Sequence, residues 1–224
     1  MGVEPLRIGL FGGSFDPVHA GHLALACAAQ QQLGLDQLRW IPAGQPWQKP
    51  RGLLAAEHRL AMLARVLKGR PEHVLDACEI NRAGPSYTVQ TLRELQAPWH
   101  HRQNVQWFLL MGQDQYARLN TWHAWSEVVQ RVDLAVVARD GEPPETTPEV
   151  LTALRQAGRS VHTVTMRAAA VSSTLLRERL HAGVAAHQLV PLGLDERVAD
   201  YIEQHGLYRP ALKSLDYKQQ NASN

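Results

Sequence analysis

Apolar runs and amphipathic stretches alternate along the chain. Leu6-Arg7-Ile8-Gly9-Leu10-Phe11 is short and mostly apolar, the pattern of a buried strand. Leu23 to Leu33 is rich in Ala and Leu and stops at Gly34, which predicts a helix with a glycine C-cap. Leu38-Arg39-Trp40-Ile41 predicts a second strand, broken by the loop Pro42-Ala43-Gly44-Gln45-Pro46. In Ala55 to Lys68 the residues Leu60, Leu63, Val66 and Leu67 form an apolar stripe, and Gly69 and Pro71 end the helix. His58 and Arg59 fall in its first turns and are expected on the polar side that faces solvent. Val74 to Ile80 alternates as a strand does, and Ser86 is placed to cap a helix from Tyr87 to about Leu95. Val105 to Met111 is apolar almost throughout, which predicts a central parallel strand covered on both faces. Leu134 to Ala138 and Val161 to Met166 predict two more strands, with a charged, Pro-rich loop (Asp140 to Pro148) and a helix (Val150 to Ala157) between them. A last helix opens in Val171-Ser172-Ser173-Thr174-Leu175-Leu176-Arg177, runs to about His181 and ends at Gly183.

No internal repeat interrupts this order. Strand alternating with helix predicts parallel βαβ units, hence an α/β fold with a doubly wound, mostly parallel sheet. At 224 residues the chain suits one such domain, expected over 1–210 with a small helical portion at its C-terminal end. Ala211 to Asn224 is polar and aperiodic and reads as a frayed tail.

Composition narrows the class. Hydrophobic residues make up 45% and charged residues 20%, ordinary values for a globular protein. A formal net charge of +2 argues against a general nucleic-acid binder but leaves room for a local basic pocket. Cys27 and Cys78 sit in apolar surroundings and read as core residues in a reducing compartment. No stretch resembles a signal peptide or spans a bilayer, so a cytoplasmic location is expected.

The chemistry gathers in Gly12-Gly13-Ser14-Phe15-Asp16-Pro17-Val18-His19-Ala20-Gly21-His22, between the first strand and the first helix. Glycines there allow positive φ and close approach of a ligand to the main chain. The helix that follows points its unpaired N–H groups and positive dipole end at the same place, which makes an anion site suited to phosphate. His19 and His22, three apart, would share one helix face, and imidazole can donate to a phosphate oxygen or carry the charge a phosphoryl transition state needs. The plain alternative is a pair of surface histidines.

This run resembles the signature of the nucleotidyltransferase superfamily, and more closely that of the bacterial nicotinate-nucleotide adenylyltransferases. The resemblance covers almost all of Leu6 to Arg209 in five ordered motifs and implies a Rossmann-like fold. It implies that AMP is transferred from ATP to nicotinate mononucleotide with release of pyrophosphate, Mg2+ entering with the ATP. On that likeness Gly12, Gly13, Ser14, Phe15, His19 and His22 hold ATP. Lys49 matches a phosphate-binding Lys, although Trp47-Gln48 stand where the family often has Pro-His. Gly112 and Asp114 match a Gly-x-Asp that meets ribose, and Arg139 closes the next strand. Ser172 and Arg177 belong to a second phosphate-type helix start. Catalysis would fall to His19, His22, Lys49 and Arg177. Tyr87, Thr88 and Trp122 would take the nicotinate, although Ser86-Tyr87-Thr88 also reads as a helix cap before a core tyrosine. No protein metal ligands are expected, nor a nucleic-acid or membrane partner; a homo-oligomer stays open. Two other readings stay open as well: a sibling enzyme acting on nicotinamide mononucleotide or phosphopantetheine, and a non-catalytic nucleotide sensor. No G-x-G-x-x-G or Walker A run is present to suggest hydride transfer or P-loop hydrolysis.

Overall fold

A computed structural model describes residues 4–45, 52–102, 104–138, 143–167 and 170–209. Six strands, β1 (Leu6–Gly13), β2 (Gln37–Pro42), β3 (His73–Leu75), β4 (Val105–Gly112), β5 (Asp133–Ala138) and β6 (Val161–Thr165), form one sheet in the order β3-β2-β1-β4-β5-β6. Every pairing is parallel. The helices are α1 (Ala20–Leu33), α2 (Ala56–Leu67), α3 (Cys78–Asn81), α4 (Thr88–Gln96), α5 (Gln113–Tyr116), α6 (Trp125–Arg131), α7 (Pro148–Gln156), α8 (Ser173–His181) and α9 (Glu196–His205). This is the Rossmann-like, doubly wound arrangement.

The period of two along β1 distributes its side chains between two cores. Phe11 joins one layer with Ala26 and Ala29 of α1, Met62 and Val66 of α2, Leu176 of α8 and Val198 of α9. Ile8 and Leu10 join the other with Leu92 of α4, Val128 of α6 and Val150 of α7. Both faces are therefore buried, which is why the central strands read as unbroken apolar runs. Under the β2–β3 edge, the buried Trp40 donates its indole N–H to Nδ1 of His73 (3.0 Å), and His73 Nε2 passes its proton toward Gln30 Oε1 (2.9 Å). The polar atom of a fully buried Trp is thus satisfied at no loss of packing.

Chain order reverses between β1 and β4: the crossover from β1 leads outward to β2 and β3, and β4 returns to β1's other side. Open α/β sheets bind ligands in the crevice at such a switch point, outside the C-terminal strand ends.

One predicted strand is shorter than expected. Val74 to Ile80 carries strand structure only to Leu75, and α3 follows. Asp76 ends it: Oδ1 accepts the Cys78 amide (3.1 Å) and Oδ2 accepts Arg39 Nη1 (2.9 Å), folding the backbone into a turn. The C-terminal helical portion packs on the α1/α2 layer, and α9 buries Val198, Ala199, Tyr201 and Ile202 there. Among the described residues no helix is long and apolar enough to cross a membrane. Residues 211–224 lie outside the described residues.

Candidate active site

β1 ends in Gly12 and Gly13, both extended. The positive φ expected of them falls instead on Phe15 (48°). Gly13 is needed for space, since a Cβ there would lie 2.9 Å from the Phe15 ring. That ring is fully buried, edge-on to Phe11 (5.3 Å) and close to Trp40 (5.4 Å) and His22 (5.1 Å). Packing of Phe15 thus sets the path of the turn that leads to the histidines.

His19 is the N-cap of α1, and His22 is its third residue. Nδ1 of His19 accepts the Gly21 amide (3.2 Å), and Nδ1 of His22 accepts the His19 amide (3.2 Å). A backbone N–H can only donate, so both Nδ1 atoms are unprotonated and each neutral ring carries its proton on Nε2. The capping box therefore fixes the tautomer of both imidazoles. Their ring centroids are 3.8 Å apart. Burial holds His19 down to about 4, so near neutral pH it is an uncharged N–H donor.

Asp16, fully buried, anchors the turn. Its Oδ1 accepts the Tyr208 hydroxyl (2.5 Å), and its Oδ2 accepts the Leu54 amide (3.3 Å). Its backbone carbonyl accepts Nη1 of Arg177 (2.6 Å). Ser172 caps α8 by accepting the Leu175 amide (3.1 Å), and Ser173 donates to the Pro17 carbonyl (3.0 Å). The N-terminal ends of α1 and α8 are thereby brought to the same turn, with Arg177 beside it.

Arg59, expected to face solvent, is 1% exposed. Its guanidinium donates to three carbonyls on separate segments: Leu54 (2.9 Å), Ser14 (2.9 Å) and Ala43 (2.7 Å). It ties the phosphate-type turn to the loop after β2. His58 is likewise held, with Nδ1 2.9 Å from the Tyr201 hydroxyl. Arg59, Asp16 and Tyr208 are the supports that sequence reasoning missed. A helical pattern shows which face is polar but not which loops that face will meet.

At the ends of β1 and β4, lined by the first residues of the turn that leads to the histidines, lies a cavity of about 270 Å³. Gly12, Gly13 and Ser14 form one wall, Met111 and Gly112 another, and Thr88, Thr91, Trp122 and Glu79 the far side. The Trp122 indole N–H is buried and has no protein acceptor. Of the described expected residues, Gly12, Gly13, Ser14, Thr88, Gly112 and Trp122 line it, whereas Phe15, His19, His22, Ser172 and Arg177 do not. Nor do Tyr87, which packs against His123 (ring centroids 4.3 Å apart), and Asp114, exposed in the first turn of α5. Ser86 does not cap α4, whose N-cap is Tyr87 with no side-chain capping bond. Its Oγ accepts the amides of Gly44 (3.1 Å) and Gln45 (3.2 Å) across the cavity mouth. Lys49 and Arg139 lie outside the described residues.

Comparison with known proteins identifies the family. The cytidylyltransferase-like family model matches residues 10–179. A "Probable nicotinate-nucleotide adenylyltransferase" of Methylibium petroleiphilum is 49% identical over 91% of this chain and 93% of its own. The chain belongs to the nicotinate-nucleotide adenylyltransferase family. A Bordetella pertussis member is 42% identical over 93% of this chain and 100% of its own. Among solved structures, the nicotinic acid mononucleotide adenylyltransferase of Plasmodium falciparum, complexed with NaAD, shares the fold at a TM-score of 0.66. It is 17% identical and covers 90% of this chain and 97% of its own.

Proposed function

We propose that the chain transfers AMP from ATP to nicotinate mononucleotide, forming nicotinate adenine dinucleotide and pyrophosphate. The observation that carries this is the two-histidine cap of α1 at the sheet's switch point, reached by a turn whose first residues, Gly12 to Ser14, line the cavity. A 5′-phosphate oxygen of the mononucleotide attacks the α-phosphorus of ATP, and the bond from that phosphorus to the bridging oxygen of the β-phosphate breaks. A phosphate dianion is already a nucleophile, so catalysis is positioning and charge stabilisation.

The Nε2–H groups of His19 and His22 donate to phosphate oxygens, with the positive dipole end of α1 behind them. Arg177 and Lys49 meet the polyphosphate, and Ser172 orders the α8 terminus. Gly12, Gly13, Ser14 and Phe15 shape the turn against which ATP lies. Gly112, Asp114 and Arg139 take the adenosine side, with Asp114 toward ribose. Trp122 stacks on the pyridine ring, and Thr88 offers donors to its carboxylate. Tyr87 acts from behind, holding the start of α4. A Mg2+ ion entering with ATP would be held by phosphate oxygens and water, since no three His, Cys, Asp or Glu side chains cluster among the described residues. Bound there, it supplies positive charge to the leaving pyrophosphate.

The test is to incubate the protein with ATP, Mg2+ and nicotinate mononucleotide and to identify the products. Equal amounts of dinucleotide and pyrophosphate are expected. ATP binding without dinucleotide would contradict the proposal and favour the sensor reading.

A further inference from the structure

Glu79 is a buried carboxylate that the transfer reaction does not use. It lies on α3, is 9% exposed and lines the cavity beside Thr91 and Thr88. Thr91 donates its hydroxyl to Oε1 (2.7 Å) while accepting Nη2 of Arg82 (3.0 Å). The Ser86 hydroxyl acts on the same carboxyl and favours its ionised form. The Ser86 oxygen already accepts two amides, from Gly44 and Gln45, which leaves its one proton available to turn toward that carboxyl. The Ser86 amide in turn donates to the Gln45 carbonyl (3.0 Å). The segments are in close contact, since a Cβ on Gly44 would fall 2.1 Å from the Glu79 carbonyl oxygen. One carboxyl group thus lies at the end of a chain of contacts. It runs from the loop after β2, through Ser86, to the first turns of α4, which carry Thr88.

We propose that Glu79 is a positioning residue for the pyridine pocket: by accepting the Ser86 and Thr91 hydroxyls it locks the 43–45 loop to the start of α4, so that Thr88 meets the nicotinate at a fixed distance. This rests on the cavity being the pyridine subsite. Glu79 touches no reacting atom, so its effect falls on mononucleotide binding and leaves the ATP side unchanged. Burial pushes its carboxyl up, while the Thr91 and Ser86 hydroxyls and Arg82 pull it down, so the two donors matter to its ionised state.

The experiment compares wild type, Glu79→Gln and Ser86→Ala in steady-state kinetics with both substrates varied. Hydrogen exchange of the Gly44 and Gln45 amides is followed in parallel. Losing one hydrogen bond to a buried charged group predicts a rise in KM for nicotinate mononucleotide of roughly tenfold, with kcat and KM for ATP within about twofold of wild type. The double variant should cost little more than either single one, because both cut the same link. Both single variants should speed exchange at Gly44 and Gln45. A Glu79→Gln variant with unchanged KM and unchanged exchange overturns the inference. So does a parallel rise in both KM values with a lowered melting temperature, the sign of a general structural role. If wild type forms no dinucleotide, the proposed reaction fails instead, and the exchange measurement still decides whether Glu79 holds the loop.

Discussion

His19 and His22 hold each other in place, and that reciprocity has measurable consequences. Each Nδ1 is occupied by a backbone amide, so both Nε2 protons face away from the helix backbone. His22→Ala removes one phosphate donor and half of the capping box. We expect kcat/KM to fall by about a thousandfold, the scale seen for losing a preorganised transition-state donor, while circular dichroism stays native. A second prediction concerns acid. His19 resists protonation in the folded chain until about pH 4, whereas an unfolded histidine takes its proton near 6.5. Its contribution to stability is full above pH 6.5 and is lost as pH falls from 6.5 to about 4. The loss amounts to about 3 kcal/mol at most, from the size of the shift. His19→Asn keeps an N-cap acceptor and should lose less stability than wild type between pH 7 and pH 4.5 in urea titrations. The motif itself was legible in the sequence, because Gly12-Gly13 and the paired histidines stand at a strand–helix junction. The rotation of chemistry onto Nε2 was not, because it depends on which amide each ring caps.

At the scale of elements, the site is held by bonds between segments far apart in the chain. Arg59 on α2 gathers the carbonyls of Ser14, Ala43 and Leu54. Arg59→Met leaves these three oxygens without that partner and should destabilise the fold by about 3 kcal/mol or more, read as a lowered urea midpoint with an unchanged m-value. Tyr208, beyond α9, donates to the buried Asp16. Tyr208→Phe removes that donor and should cost about 2 kcal/mol, the range for a hydrogen bond to a buried charge. Helix α8 was readable as a capped helix because Ser172 and Gly183 bracket it, and β4 because its residues are apolar on both faces. Segment 74–80 misled, since alternation there is real but Asp76 captures the Cys78 amide and ends the strand. Ser86 was read as a cap because its spacing suits one. Its hydroxyl serves the Gly44–Gln45 loop, a partner no local pattern reveals.

Across the whole molecule, the sheet order places the ends of β1 and β4 side by side and brings the starts of α1 and α8 to one turn. The fold class was legible from the alternation of strands and helices. The position of the switch point was not, since parallel pairing leaves no mark on sequence spacing. The central claim is that this crevice joins ATP to the acid form of the mononucleotide, with the Thr88 donors facing the pyridine substituent and Trp122 stacked on the ring. Those donors suit a carboxylate, which only accepts, better than an amide, which also donates. The most direct measurement is kcat/KM with nicotinate and with nicotinamide mononucleotide, under saturating ATP and Mg2+. A preference for nicotinate of about a hundredfold or more, equivalent to roughly 3 kcal/mol, is the predicted result. Equal rates, or a preference for the amide, would contradict it.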